Sequence, residues 1–350
     1  MYITSKDKSF IEQYDKYRKS IPTSILKYPD EIKKHNRMSL SLFHYLQERK
    51  LLDISVKNLL LYTTAATKIN ALIPINKDFA RLCGYYLAEG CLTYDIGRKG
   101  AKRERILFSF HENEREYIED AQKILQALGL KFIERNSTHA LTTIVSSRIL
   151  GWFIRDILKC GINSNDKVLP RFIFNVSQEI REELVRGAIS GDGAVTLLQN
   201  KHNLMFEYAT TSKRLADGIV LLLQTLEIIP SIRKRWMNKS KHLAYIVRIS
   251  GYDQLVKMSF VFGHKNDEKI KNVLSRYQRK ITPHGYKRYT SFATLSVREV
   301  RHEMVNTTVY SMETSTGTLI SSSGLISHNC FPKDVKALAA IAEENGYHFS

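Results

Sequence analysis

The sequence predicts an α+β protein: two pseudo-symmetric α-β-β-α-β-β-α units whose strands form antiparallel sheets, then a short all-β piece. Two observations predict it. A nine-residue phrase occurs twice, as Leu82-Cys83-Gly84-Tyr85-Tyr86-Leu87-Ala88-Glu89-Gly90 and as Val185-Arg186-Gly187-Ala188-Ile189-Ser190-Gly191-Asp192-Gly193. Each copy sets a small residue four positions after a glycine, then a carboxylate, then another glycine. Downstream of each copy, helix-like and strand-like patterns alternate in the same order. Glu89 and Asp192 therefore stand about a hundred residues apart, the length of one compact unit.

Residues 1–75 read as a basic, mostly helical lead-in punctuated by Pro22, Pro29 and Pro74, with helix-like apolar spacing from Ile54 to Ile69. No chemistry is legible there. The first unit takes 76–176: a motif helix, a basic connection, a strand at 105–110, a helix at 114–128, strands at 132 and 141–146, and a helix at 149–158. The second takes 177–288 and repeats the order, with a strand at 204–208, a helix at 213–226, strands at 231–236 and 243–249, and a helix at 252–260. Residues 289–329 are rich in Ser, Thr and Val and read as short strands. In 330–350 a helical segment begins near Asp334.

Composition narrows the partners. Lys and Arg number 53 against 35 Asp and Glu, a net charge of +18, which favours a polyanion because each neutralised phosphate releases counterions. Solubility alone or an acidic membrane surface is the bland alternative. The longest apolar stretch, Gly218 to Pro230, is broken by Gln224, Thr225 and Glu227, so no membrane span is expected. Four cysteines without C-x-x-C spacing and an N-terminus without an apolar signal core fit a reduced, cytoplasmic setting.

Gly84 with Ala88, and Gly187 with Gly191, share a helix face where two backbones can approach. Gly90 and Gly193 suit left-handed helix stops. Each carboxylate then sits at a helix C-terminus, where the dipole disfavours negative charge. Crowding both together calls for a cation, and magnesium prefers carboxylate and water oxygens. Two small-residue packing helices with an incidental acid at each end is the plainer reading; the duplicated context argues against it.

These residues resemble the LAGLIDADG homing endonucleases in their monomeric, two-motif form, over about residues 78 to 285. The resemblance implies that Glu89 and Asp192 hold catalytic Mg2+, helped by the carbonyls of Ala88 and Gly191, with Gly84 and Gly187 packing the helices. Glu89 departs from the usual aspartate by one methylene. The family also places a lysine before a proline ahead of the second motif, and Lys167 before Pro170 fits. Its counterpart in the second unit would be Lys269, with Lys265 a rival and no following proline. Double-stranded DNA would lie along the strands against Arg98, Lys99, Lys102, Arg103 and Arg105, and against Arg233, Lys234, Arg235, Lys239 and Lys241, with Trp236 and His242 interleaved.

The tail carries Val309-Tyr310-Ser311 and then His328-Asn329-Cys330. It resembles the C-terminal splicing blocks of inteins, in the all-β Hint fold. The resemblance implies that Asn329 cyclises, His328 assists and Cys330 accepts the upstream chain. Ser311 and Thr318 stand where an aspartate and a histidine are often found. No N-terminal splicing block is recognisable, so complete cis-splicing is not expected. A truncated reading frame, or a split pair whose N-terminal half is a separate partner, both fit. Cys330-Phe331-Pro332-Lys333-Asp334-Val335 resembles the active-site stretch of UDP-glucose 6-dehydrogenases, so 330–350 would be a host remnant. The leading expectation is a monomeric, intein-borne DNA endonuclease. The alternatives are a non-cleaving DNA-binding regulator or RNA maturase, and a decayed splicing fragment.

Overall fold

The computed structural model describes residues 1–25, 29–63, 67–96, 100, 102–197, 204–236, 243–261, 271–272, 274–275, 285–308, 310, 312, 314–328 and 339–347. The lead-in holds β1 (Tyr2–Ser5), α1 (Ser9–Glu12), α2 (Tyr14–Arg18), α3 (Pro29–His35), β2 (Arg37–Ser39), α4 (Leu40–Glu48), β3 (Leu59–Tyr62) and β4 (Ile69–Asn70). Its four strands pair in the order β2-β1-β3-β4, so the mostly helical lead-in is a mixed α/β body. A core of its own, including Ile3, Phe10, Tyr17, Met38 and Leu46, supports it. Strands this short cannot display the alternation by which sequence reading finds them. Asn70 ties the lead-in to the first unit, its N–H donating to the Leu128 carbonyl at 3.1 Å and its side chain to that of Ala127.

The first unit runs α5 (Lys77–Glu89), β5 (Gly90–Ile96), β6 (Lys102–His111), α6 (Arg115–Ala127), β7 (Ile133–Ser137), β8 (Ala140–Ser146) and α7 (Arg148–Trp152). The second runs α8 (Gln178–Asp192), β9 (Gly193–Leu197), β10 (Leu204–Thr210), α9 (Lys213–Gln224), β11 (Ser231–Trp236), β12 (Leu243–Ser250) and α10 (Tyr252–Lys257). The α-β-β-α-β-β-α order therefore holds twice, with antiparallel sheets β5-β6-β8-β7 and β11-β12-β10-β9 that share one topology. The stretch expected as a basic connection begins with β5. One hydrophobic core spans both units, drawing Leu82, Tyr85 and Leu87 from α5 and Leu184, Val185 and Ala188 from α8.

Capping explains where helices begin. The Asn76 side chain accepts the Phe79 N–H at 2.9 Å to start α5, and Ser212 does the same for Leu215 at 3.2 Å to start α9. The ends differ from expectation. Gly90 and Gly193 are extended, at φ −90° and −91°, not left-handed. Space is what demands glycine: a Cβ at Gly90 would lie 2.6 Å from the Tyr86 Cα, and one at Gly193 2.9 Å from the Ile189 Cα.

In the tail the described strands form two hairpins, β13 (Tyr286–Arg288) with β14 (Ala293–Leu295), and β15 (Thr318–Ile320) with β16 (Ile326–His328). Residues 339–344 are helical. Among the described residues no helix is long and apolar enough to cross a membrane.

Candidate catalytic centre

α5 and α8 cross on their glycines. A Cβ on Gly84 would meet the Gly187 Cα at 2.8 Å and the Leu184 carbonyl oxygen closer still; one on Gly187 would collide with the Arg81 carbonyl. Backbone packs on backbone, so the last residues of both helices come to one place. At that end a Cβ on Gly191 would stand 2.6 Å from the Ala88 Cβ and 2.7 Å from the Glu89 Cγ. Arg81 adds an ionic tie between the units, binding Asp120 and Asp78 of the first and Glu183 of the second, the last at 2.8 Å.

Lys167 enters this place from the segment joining the units. It is 3% exposed, and its ammonium donates to the Ala88 carbonyl at 3.0 Å while facing the Tyr86 ring. Ser212 of the second unit donates to the Lys167 carbonyl at 2.6 Å, and the Val168 N–H to that of Cys160, so the lysine is held from both sides.

Electrostatics report the crowding. Burial pushes the Asp192 carboxyl up to about 7, with Glu89 adding to the rise and Lys167 opposing it. Burial and then Glu114 raise Glu89, again against Lys167. Burial lowers the Lys167 ammonium, and the two carboxylates hold it up. Tyr208 is the group the sequence reading missed. Its hydroxyl is buried without a hydrogen-bond partner among the described residues, and burial, then Asp192 and Glu89, push the phenol far up. Carboxylates, carbonyls and a hydroxyl make an oxygen-only donor set, which fits a hard divalent cation. The Ala88 carbonyl, expected as a ligand, already accepts the Lys167 proton but keeps a second lone pair.

Strand alternation sorts the basic residues. Ile106, Phe108 and Phe110 are buried, so Arg103, Arg105, Ser109 and His111 take the outer face of the first sheet. There Arg105 pairs with Asp95 at 2.7 Å, and Arg135 lies opposite Thr142. In the second sheet Arg233 and Arg235 share a face with Arg248, and Glu207 bonds Arg233 at 3.2 Å and Arg248 at 2.7 Å. Lys234 and the 66% exposed Trp236 alternate onto the opposite face, which corrects a cluster read as one surface. Arg135 and Arg248 were missed because only register shows which face they share. Lys102 opens β6. Arg98, Lys99, Lys239, Lys241, His242, Lys265 and Lys269 lie outside the described residues, as do Ser311, Asn329 and Cys330. His328 ends β16, paired in register with Thr318.

Residues 76–157 and 179–259 each match the family profile described as a LAGLIDADG-like domain. An uncharacterized protein of Methanocaldococcus jannaschii is 42% identical over 321 residues, 91% of this chain and 36% of the relative. An iron-sulfur cluster assembly SufBD family protein of Mycobacterium bovis is 34% identical over 145 residues, 39% of this chain and 16% of the relative. The ATP-dependent DNA helicase Hel308 of Thermococcus kodakarensis is 25% identical over 285 residues, 78% of this chain and 23% of the relative. The chain thus spans about a third or less of each relative's length. A solved structure, I-DmoI in complex with DNA and Mn, superposes with a TM-score of 0.42 at 15% identity, over 55% of this chain and 99% of that one.

Proposed function

From a chain that carries two LAGLIDADG-like domains, we propose a site-specific DNA endonuclease that makes a metal-dependent double-strand break and is carried within an intein. The observation that carries the nuclease reading is the meeting of Glu89, Asp192 and buried Lys167 at one point, flanked by two sheets with arginines on their outer faces. When bound, magnesium or a similar divalent ion supplies a Lewis acid and an activated water. Glu89 and Asp192 would hold that ion, with the Ala88 and Gly191 carbonyls as further oxygen ligands. Lys167 brings a positive charge to the phosphate undergoing attack or orients the water, and Lys269 is its proposed counterpart. Glu207 and Asp95 fix their arginines in place before the duplex arrives, which lowers the ordering cost of binding.

The comparisons support intein carriage in one respect. Only a minor share of relatives named for iron-sulfur assembly and for helicase action resembles this chain, as expected of a stretch inserted into unrelated hosts. Asn329, assisted by His328, would then cleave the chain before Cys330, the acceptor of the upstream chain in full splicing, with 330–350 a dehydrogenase remnant. A DNA-binding regulator or RNA maturase on the same fold would keep the arginine faces and dispense with metal-dependent cutting.

The test is cleavage of a plasmid bearing an uninterrupted dehydrogenase gene around its catalytic cysteine codon. A single linear product with magnesium, lost in Glu89→Gln, is expected. Binding without cutting would overturn the nuclease reading. Independently, mass spectrometry should detect loss of the residues after Asn329, blocked by Asn329→Ala; an intact chain would sink the splicing reading.

A further inference from the structure

We propose that His111, Glu112 and His139 form a second metal site, for a zinc-class transition ion, distinct from the carboxylate centre. One oxygen or nitrogen from each of the three side chains lies within 4.8 Å of the others. The His139 Nδ1 and the Glu112 Oε1 are 3.0 Å apart, already near the spacing of neighbouring ligands. Around an ion with bonds of about 2.1 Å, tetrahedral ligands stand roughly 3.4 Å apart, so side-chain rotation alone closes the set.

The backbone holds these residues in place. His111 ends β6 opposite Ala140 of β8, and the Glu112 N–H donates to the His139 carbonyl at 3.2 Å. The two imidazoles lie parallel, with planes 4° apart and centroids 6.3 Å apart. His139 sits in the β7–β8 turn at φ 63°, a left-handed position that Gly or Asn fills at less cost. All three residues are exposed, leaving room for water as a fourth ligand.

Among the described residues two bonds compete: the His139–Glu112 contact itself, and the Asn113 N–H, which donates to the His111 Nδ1 at 3.2 Å and caps the turn into α6. Binding through either ring nitrogen of His111 gives up the Asn113 bond, because the other nitrogen must then carry the proton. Ligand chemistry separates the two sites. Imidazole suits zinc, nickel, copper and cobalt, whereas the oxygen-only centre suits magnesium. A bound ion would clip the β6–α6 corner to the β7–β8 turn. That corner carries Glu114, which accepts the His111 N–H at 3.1 Å and is near enough to Glu89 to raise its carboxyl.

The site stands whether or not the chain cuts DNA. The experiment uses the full chain with Glu89→Gln and Asp192→Asn, stripped with a chelator and titrated with Zn2+ and Co2+ by calorimetry and visible absorption. One saturable equivalent is expected, not displaced by millimolar Mg2+. His111→Ala and His139→Ala should each weaken it at least tenfold and abolish the metal-induced rise in melting temperature. No saturable binding, or binding untouched by both substitutions, would overturn the proposal, the latter by assigning the ion to other ligands such as the cysteines.

Discussion

The two motif copies share a backbone course and differ in the groups they bring together. α5 and α8 cross glycine on glycine, and Gly90 pairs with Phe108 as Gly193 pairs with Tyr208. Yet one copy ends in Glu89 and the other in Asp192. Lys167 donates to the Ala88 carbonyl of the first copy alone. Phe108 of the first unit faces its core without a polar atom, whereas Tyr208 brings to the carboxylates a buried hydroxyl with no partner among the described residues. The repeat therefore specifies where groups converge, and the differences between the copies specify which groups they are. The second lysine, Lys269, lies outside the described residues, so the asymmetry is drawn from Lys167 and Tyr208.

The shared half of this comparison breaks most violently. Gly187→Val drives a branched side chain into the Arg81 carbonyl and the Gly84 Cα, the latter 3.1 Å from the new Cβ. A loss of more than about 4 kcal/mol is expected, read as a collapse of the thermal midpoint or as insolubility. A near-wild-type melt would show that the helices do not meet there.

The divided half gives graded effects. Lys167→Met should lower cleavage by about a hundredfold or more while duplex affinity changes little. Equal loss of binding would make the lysine a mere DNA contact.

Asp192→Asn sharpens the electrostatics. A carboxyl that titrates near 7 in the fold, against an ordinary value of 3.8, binds its proton more tightly folded than unfolded. Stability therefore falls as pH rises from about 4 towards 7. In chelator at pH 8 the Asn variant should be more stable by on the order of 2–4 kcal/mol, a gain that shrinks towards pH 4. Thermal melts across pH check this, and a variant less stable at pH 8 would refute the crowding.

The smallest effect tests the phenylalanine–tyrosine pair. Tyr208→Phe should keep or slightly raise stability, because a buried orphan hydroxyl is removed, and should slow cleavage by roughly tenfold. Phe108→Tyr should cost about 1–3 kcal/mol and leave the rate unchanged. Identical behaviour of the two variants would erase the distinction between the units.

The repeat made much of the fold legible. β11 covers Ser231–Trp236 as the sequence pattern predicts, and α9 begins at Lys213 behind its Ser212 cap. Glu89 and Asp192 were legible because the phrase around them recurs. What escaped depends on contacts distant in sequence. The outer-face partnership of Arg248 with Glu207 exists only once strand register is known. Tyr208 looks like ordinary core until its hydroxyl is found beside two acids. The lead-in sheet escaped because β4 has two residues and β2 three, too few to show a period. Gly90 and Gly193 were rightly marked as special but for the wrong reason, since close packing looks the same in sequence as a left-handed turn.

The backbone-on-backbone crossing of α5 and α8 has a practical corollary. Where glycine meets glycine the contact is backbone alone and makes few demands on side-chain identity; the shared core around it, from Leu82 and Leu87 to Leu184 and Val185, makes more. Either unit should accept a foreign mate that presents the same glycines and a matching apolar face, provided Arg81 still finds an acid where Glu183 stands. Chimeras assembled from halves would set two different arginine-bearing sheets beside the same pair of carboxylates, a recombination that exchange of units achieves without redesign.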